Sequence, residues 1–162
     1  MEIITKSAQE TQNFGEKIGL DLKKGNLKKR VFCLYGDLGS GKTTFIQGLA
    51  KGLGIKKRIT SPTFVFVRKY ILPKNKSGLT NLFHIDLYRI TDSNETQGLG
   101  LAEMIADKKA LVVIEWPEKV QEILPIEKQE ICFDYDSENQ NKFPVFLSVI
   151  FLELFPIEKQ EI

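Results

Sequence analysis

Apolar positions along this chain recur with two different periods. After a short strand-like run at residues 2–5, Phe14, Ile18 and Leu22 recur every four residues, the spacing of one face of a helix. Ser7 and Glu10 stand three apart ahead of that stripe, so a hydroxyl and a carboxylate can satisfy each other's free backbone amides, and Gly25 marks the stop. Residues 31–35 are continuously apolar and read as a buried strand, followed by a glycine-rich turn at 36–41. From Thr43 to Leu53 the helical period returns, with Phe45/Ile46, Leu49/Ala50 and Leu53 on one face and Gly54 as terminator.

The second half is strand-rich. Residues 63–72 and 82–88 read as two strands joined by a loop containing Pro73, Asn75 and Gly78, a length that suits an antiparallel pair. In the second, His84, Asp86 and Tyr88 alternate with Phe83, Ile85 and Leu87, which predicts a polar face and an apolar one. A short helix over 101–107, an apolar strand over 110–115, a helical turn or two over 117–124 and a strand over 131–135 complete the pattern. The order predicts an α/β fold: a P-loop NTPase-like mixed sheet, partly parallel, flanked by helices.

Composition supports one globular domain. The chain has 162 residues, 42% hydrophobic and 27% charged. Cys33 and Cys132 both fall in strand-like runs and read as buried thiols of a reducing cytosol, excluding a disulfide scaffold or zinc site as the organising feature. The apolar run at 143–155 is too short to span a bilayer, and the N-terminus shows no secretory signal, so the expectation is a cytoplasmic protein with no membrane partner. Net charge is +2, but residues 1–80 carry +11 and residues 81–162 carry −9. The basic clusters Lys23/Lys24, Lys28–Arg30, Lys56–Arg58 and Arg68/Lys69 are either solvated surface or a basic half beside a nucleotide site. Residues 1–142 read as the functional domain. Residues 143–162 are set apart because Pro156–Ile162 repeats Pro125–Ile131 identically, and no function is drawn from that tail.

The chemistry concentrates at Gly36-Asp37-Leu38-Gly39-Ser40-Gly41-Lys42-Thr43, which fits G-x-x-x-x-G-K-[ST]. Glycines let successive amides converge on phosphate oxygens, and the following helix adds its positive end. Lys42 is spaced to reach the β- and γ-phosphates, and Thr43 offers a hard oxygen to Mg²⁺. Chance would produce the pattern in roughly 0.6% of chains this long at ordinary composition, and the strand before it and helix after it strengthen the reading. Glu115, ending the apolar strand 110–115, is placed to hold Mg²⁺ directly or through water, and Asp86 is a second candidate acid. His84 by itself reads as a packed or surface imidazole. No N-K-x-D guanine motif is present, since Asn75-Lys76-Ser77-Gly78 lacks the Asp; ATP is therefore favoured over GTP. Only four arginines are available to clamp a transferred group, which weighs against a kinase.

Four blocks together resemble the bacterial TsaE family of ATPases: Gly36–Thr44, Thr60-Ser61-Pro62-Thr63-Phe64, His84-Ile85-Asp86-Leu87-Tyr88-Arg89 and Ile114-Glu115-Trp116-Pro117-Glu118-Lys119. The Ser7, Glu10, Thr11 and Gly15 pattern matches that family's opening helix, and the resemblance covers about residues 1–136. It implies an ATP- and magnesium-dependent hydrolase, weak alone, that binds the TsaB–TsaD heterodimer. It also implies a role in threonylcarbamoylation of adenosine 37 in tRNA, with tRNA met only through that complex. By position it implies phosphate binding by Gly36, Gly39, Ser40, Gly41, Lys42, Thr43 and Thr44, magnesium binding by Thr43 and Glu115, and catalytic roles for Lys42, Asp86 and Glu115. Ser61-Pro62-Thr63 resembles the family's switch-like loop, which implies that the Ser61 and Thr63 hydroxyls sense the γ-phosphate. The resemblance likewise implies that Thr11 lines the nucleotide site and that Trp116 faces the nucleotide or a partner. The alternatives are a P-loop kinase for a small metabolite and an ATP-dependent binding module with negligible hydrolysis.

Overall fold

A computed structural model describes residues 2–62, 65–91, 93–135 and 147–152. Their strands form one seven-stranded sheet in the order β1-β7-β6-β2-β5-β4-β3. These are β1 (Glu2–Thr5), β2 (Val31–Tyr35), β3 (Val67–Ile71), β4 (Asn81–Asp86), β5 (Ala110–Glu115), β6 (Gln129–Tyr135) and β7 (Leu147–Leu152). The centre, β6-β2-β5-β4, is parallel. Each edge is antiparallel: β3 on β4, and β7 between β6 and β1. The sheet is therefore mixed, and β2 and β5, adjacent at its centre, are the continuous apolar runs of the sequence, as two-sided burial requires.

Helices α1 (Ala8–Lys24) and α2 (Lys42–Leu53) cover one face. Their apolar stripes pack with Phe32, Leu34, Leu82, Leu111 and Val113. The short α3 (Leu101–Ala106) and the 3-10 turn Pro117–Ile123 lie over the other face, against Val31, Cys33, Ile85, Val112 and Ile114. The alternation of side chains along each strand divides the residues between these two cores.

Glycines set the α1–α2 distance. A Cβ on Gly48 would strike the Gln12 carbonyl, and one on Gly15 the Phe45 carbonyl; Gly19 and Gly52 are as tightly placed. Gly15/Gly19 and Gly48/Gly52, four apart on each helix, bring the two backbones into direct contact.

Several expected boundaries shift. The strand expected over 63–72 begins at Val67, because the chain turns at Phe66 (φ 55°). The strand expected over 82–88 ends at Asp86, leaving Tyr88 beyond it. At the start of α1, Ser7 accepts from the Glu10 amide at 3.2 Å, but the Glu10 carboxylate takes the Lys6 amide at 2.6 Å rather than that of Ser7. Of the C-terminal segment, β7 is described; the repeated Pro156–Ile162 lies outside the described residues.

The basic clusters do not gather at the glycine loop. Lys28, Lys29 and Arg30 line a cavity of about 520 Å³ at the N-terminal end of β2, the end remote from the loop. Lys56, Lys57 and Lys69 line a groove past the C-terminus of α2, about 18 Å along the helix from its start. For these residues the solvated-surface alternative is the one the placement favours.

Candidate functional site

Two side-chain rows on the α2-covered face start apolar and end in carboxylates. On β4 the row runs Leu82, His84, Asp86; on β5 it runs Leu111, Val113, Glu115. The parallel register sets Asp86 beside Glu115 at the C-terminal edge. The loop leaving β2 reaches that same edge, because β2 is parallel to β5 with Leu34 opposite Glu115. This is where an open α/β sheet presents ligand-binding groups.

The loop adopts conformations that glycine permits. Gly36, Gly39 and Gly41 have φ of 129°, 82° and 97°, a region strained for residues with a Cβ. Gly36 also abuts β6, where a Cβ would strike the Phe133 carbonyl. The Ser40 amide closes a turn onto the Asp37 carbonyl at 3.1 Å. Lys42 Nζ is tucked into the loop, donating to the carbonyls of Gly36 at 2.6 Å and Asp37 at 2.8 Å. Burial pulls the Lys42 ammonium below its ordinary range, and the nearby Glu115 and Asp86 carboxylates push the other way.

Thr43 Oγ1 donates to Glu115, 3.1 Å from Oε1 and 3.3 Å from Oε2. Glu115 Oε1 also lies 2.7 Å from Nε2 of His84, a fully buried imidazole. Asp86 accepts from the Ser61 hydroxyl at 2.5 Å and from the Tyr88 amide at 3.1 Å. Trp116 turns sharply (φ 62°), and its ring lies over Lys42 Nζ at 4.5 Å and against Tyr88 at 5.1 Å.

These groups border a cleft of about 420 Å³ lined by Gly39, Ser40, Gly41, Lys42, Thr43, Thr44, Ser61, Asp86, Glu115 and Trp116, with Leu38, Tyr88 and Arg89. Lys42 and Arg89 are its basic residues. Gly36 sits at its base, as the Lys42 bond shows. Thr11 is not among the residues bordering this cleft; its buried hydroxyl pairs with Thr5 at 2.7 Å, tying α1 to β1. Thr63 lies outside the described residues. The polar face expected of β4 is not a solvated one, since His84 is fully buried and bonded to Glu115. That partnership was illegible because it links residues 31 apart. The Tyr88–Trp116–Lys42 contacts were equally hidden, though Trp116 directly follows the strand-end Glu115.

Among the described residues no three His, Cys, Asp or Glu side chains form a metal cage. Thr43 and Glu115 nevertheless suit Mg²⁺, which takes one or two protein oxygens and the rest from phosphate and water. Among the described residues no helix is long and apolar enough to cross a membrane.

A parallel-centred α/β sheet, a glycine loop running into a helix and acids at adjacent strand ends define the P-loop NTPase-like fold. The family model of the threonylcarbamoyl adenosine biosynthesis protein TsaE matches residues 5–143, and the chain belongs to the TsaE family. It is 38% identical over 125 residues to the tRNA threonylcarbamoyladenosine biosynthesis protein TsaE of Treponema pallidum, covering 77% of this chain and 84% of that protein. The TsaE protein of Haemophilus influenzae is 35% identical over 129 residues, covering 79% and 78%. The crystal structure of Bacillus subtilis YdiB is similar with a TM-score of 0.64 and 30% identity, covering 93% of this chain and 83% of that one.

Proposed function

We propose that this chain is a magnesium-dependent ATPase of tRNA threonylcarbamoyladenosine biosynthesis. It docks onto a TsaB–TsaD pair, supports threonylcarbamoylation of adenosine 37, and meets tRNA through that complex. Family membership supports the pathway. The observation that carries the chemistry is the Thr43–Glu115 contact at the mouth of the glycine loop. It joins a hydroxyl and a carboxylate from separate elements where a bound triphosphate would end.

In this reading the loop amides and the N-terminus of α2 receive phosphate. Lys42 exchanges its bonds to the Gly36 and Asp37 carbonyls for bonds to the β- and γ-phosphates. Thr43 and Glu115 would hold Mg²⁺, which would supply charge neutralisation at the phosphates. Asp86, at the cleft wall and already accepting two hydrogen bonds, orients the attacking water and takes up its proton. Ser61 couples its loop to Asp86 and so to the γ-phosphate position.

The test is a multiple-turnover modification assay with unmodified tRNA and a purified TsaB–TsaD pair. Adding the chain with ATP should convert a single round into continued turnover, and a Glu115→Gln chain should not. Equal turnover with and without the chain would reject the role.

A further inference from the structure

His84 is the chain's single histidine. It is fully buried on β4, two residues before Asp86 and beneath the cleft. Its Nε2 lies 2.7 Å from Glu115 Oε1, the oxygen that Thr43 reaches at 3.1 Å. A carboxylate accepts hydrogen bonds, so Nε2 carries the proton in this contact. Nδ1 is buried without a hydrogen-bond partner among the described residues. The Nε2–H donor is therefore the ring's one bonded polar group among the described residues.

A glutamate at a strand end has three side-chain torsions and could swing into the cleft or away from it. The Thr43 hydroxyl alone does not settle its orientation, because it reaches both carboxylate oxygens about equally. The imidazole does, because it engages Oε1 alone, at 2.7 Å and from a fully buried position, so the two oxygens are no longer equivalent. We propose that His84 is a positioning residue: its Nε2–H locks the Glu115 carboxylate so that it and Thr43 present a fixed pair of oxygens to the divalent cation of a bound nucleotide. The proposal rests on the nucleotide–magnesium reading above. It assigns His84 no contact with substrate or with the metal, only the second-layer role that orients a ligand.

Two measurements test it. The first is titration with a fluorescent ATP analogue, in magnesium and in EDTA, of wild type, His84→Phe and His84→Gln, with folding checked by thermal melts. Gln keeps an amide donor near the Nε2 position and Phe has none. Expected is unchanged metal-free affinity throughout. His84→Phe should need about ten- to a hundred-fold more magnesium, with at least partial recovery in His84→Gln. Folded His84→Phe with the wild-type magnesium requirement would overturn the proposal. If wild type itself shows no magnesium effect, it is the nucleotide–magnesium reading that fails. The second measurement needs no variant. Because one imidazole is present, its nitrogen resonances are unambiguous, and they should report the Nε2–H tautomer and shift on adding magnesium–nucleotide more than on adding nucleotide alone. An Nδ1–H tautomer would overturn the assignment even if His84→Phe failed to fold.

Discussion

Thr43 Oγ1 lies 3.1 Å from Glu115 Oε1, joining the first turn of α2 to the last residue of β5. Residues held in one contact act as a unit, and their substitutions do not add. Thr43→Ala and Glu115→Gln should each lower magnesium-dependent ATP turnover by on the order of 10²-fold, the scale of one lost electrostatic contact in a transition state. The double variant should be little worse than Glu115→Gln alone. A double variant as slow as the product of the two single effects would show that the residues work independently.

The α1–α2 seam predicts a stability effect remote from the cleft. Alanine favours a helix over glycine by about 1 kcal/mol, so Gly48→Ala would stabilise an isolated α2. In the folded chain the new methyl meets the Gln12 carbonyl, part of a backbone that cannot turn aside like a side chain. Overpacking of this kind costs about 1–3 kcal/mol, and the seam has no free side to relax into. A urea melt should show a lower midpoint for Gly48→Ala. A raised midpoint would mean the helices are not in backbone contact.

The two thiols should behave differently. Cys33 is fully buried in β2, and burial pushes its pKa from 9.0 up to about 12, with Lys128 opposing and Glu130 adding. Cys132 in β6 is half-buried and is also raised by burial, without the same enclosure. A thiol reagent at pH 8 should modify Cys132 in the native protein and Cys33 only after unfolding. The pH effect has a definite sign. The folded Cys33 keeps its proton where the unfolded one loses it, so its contribution to stability is complete below about pH 9 and is lost as pH rises towards 12. Cys33→Ser, whose hydroxyl does not ionise there, should reduce the alkaline loss seen in pH-dependent melts. An identical alkaline profile would contradict it.

Most of the frame was legible because its signals are local. The glycine loop, the stripe Phe14, Ile18, Leu22 and the apolar run ending at Glu115 each announce an element within a dozen residues. Asp86 and Glu115 could be placed at one edge because strand ends in a parallel sheet share a side. What stayed hidden depends on pairing across the sheet. His84 looked like part of a polar face, and only the β4–β5 register brings it to Glu115. Thr11 came from the family resemblance alone, and its hydroxyl pairs with Thr5, a contact the sequence pattern does not announce. The close approach of Gly15/Gly19 to Gly48/Gly52 went unread, because a glycine spacing on one helix does not say which helix lies opposite.

In the proposed function Lys42 holds the nucleotide and Asp86 serves its hydrolysis, so the two substitutions should separate binding from turnover. The direct measurement is an ATP titration of wild type, Lys42→Ala and Asp86→Asn, with phosphate release followed in the same samples. Lys42→Ala should lose most of its affinity, because Lys42 is the one cation of the loop sequence Gly36–Thr43. Asp86→Asn should bind ATP close to wild type and release phosphate about 10²- to 10⁴-fold more slowly, the range for loss of a general base. Undiminished affinity in Lys42→Ala, or an Asp86→Asn chain that hydrolyses ATP at the wild-type rate, would contradict the account.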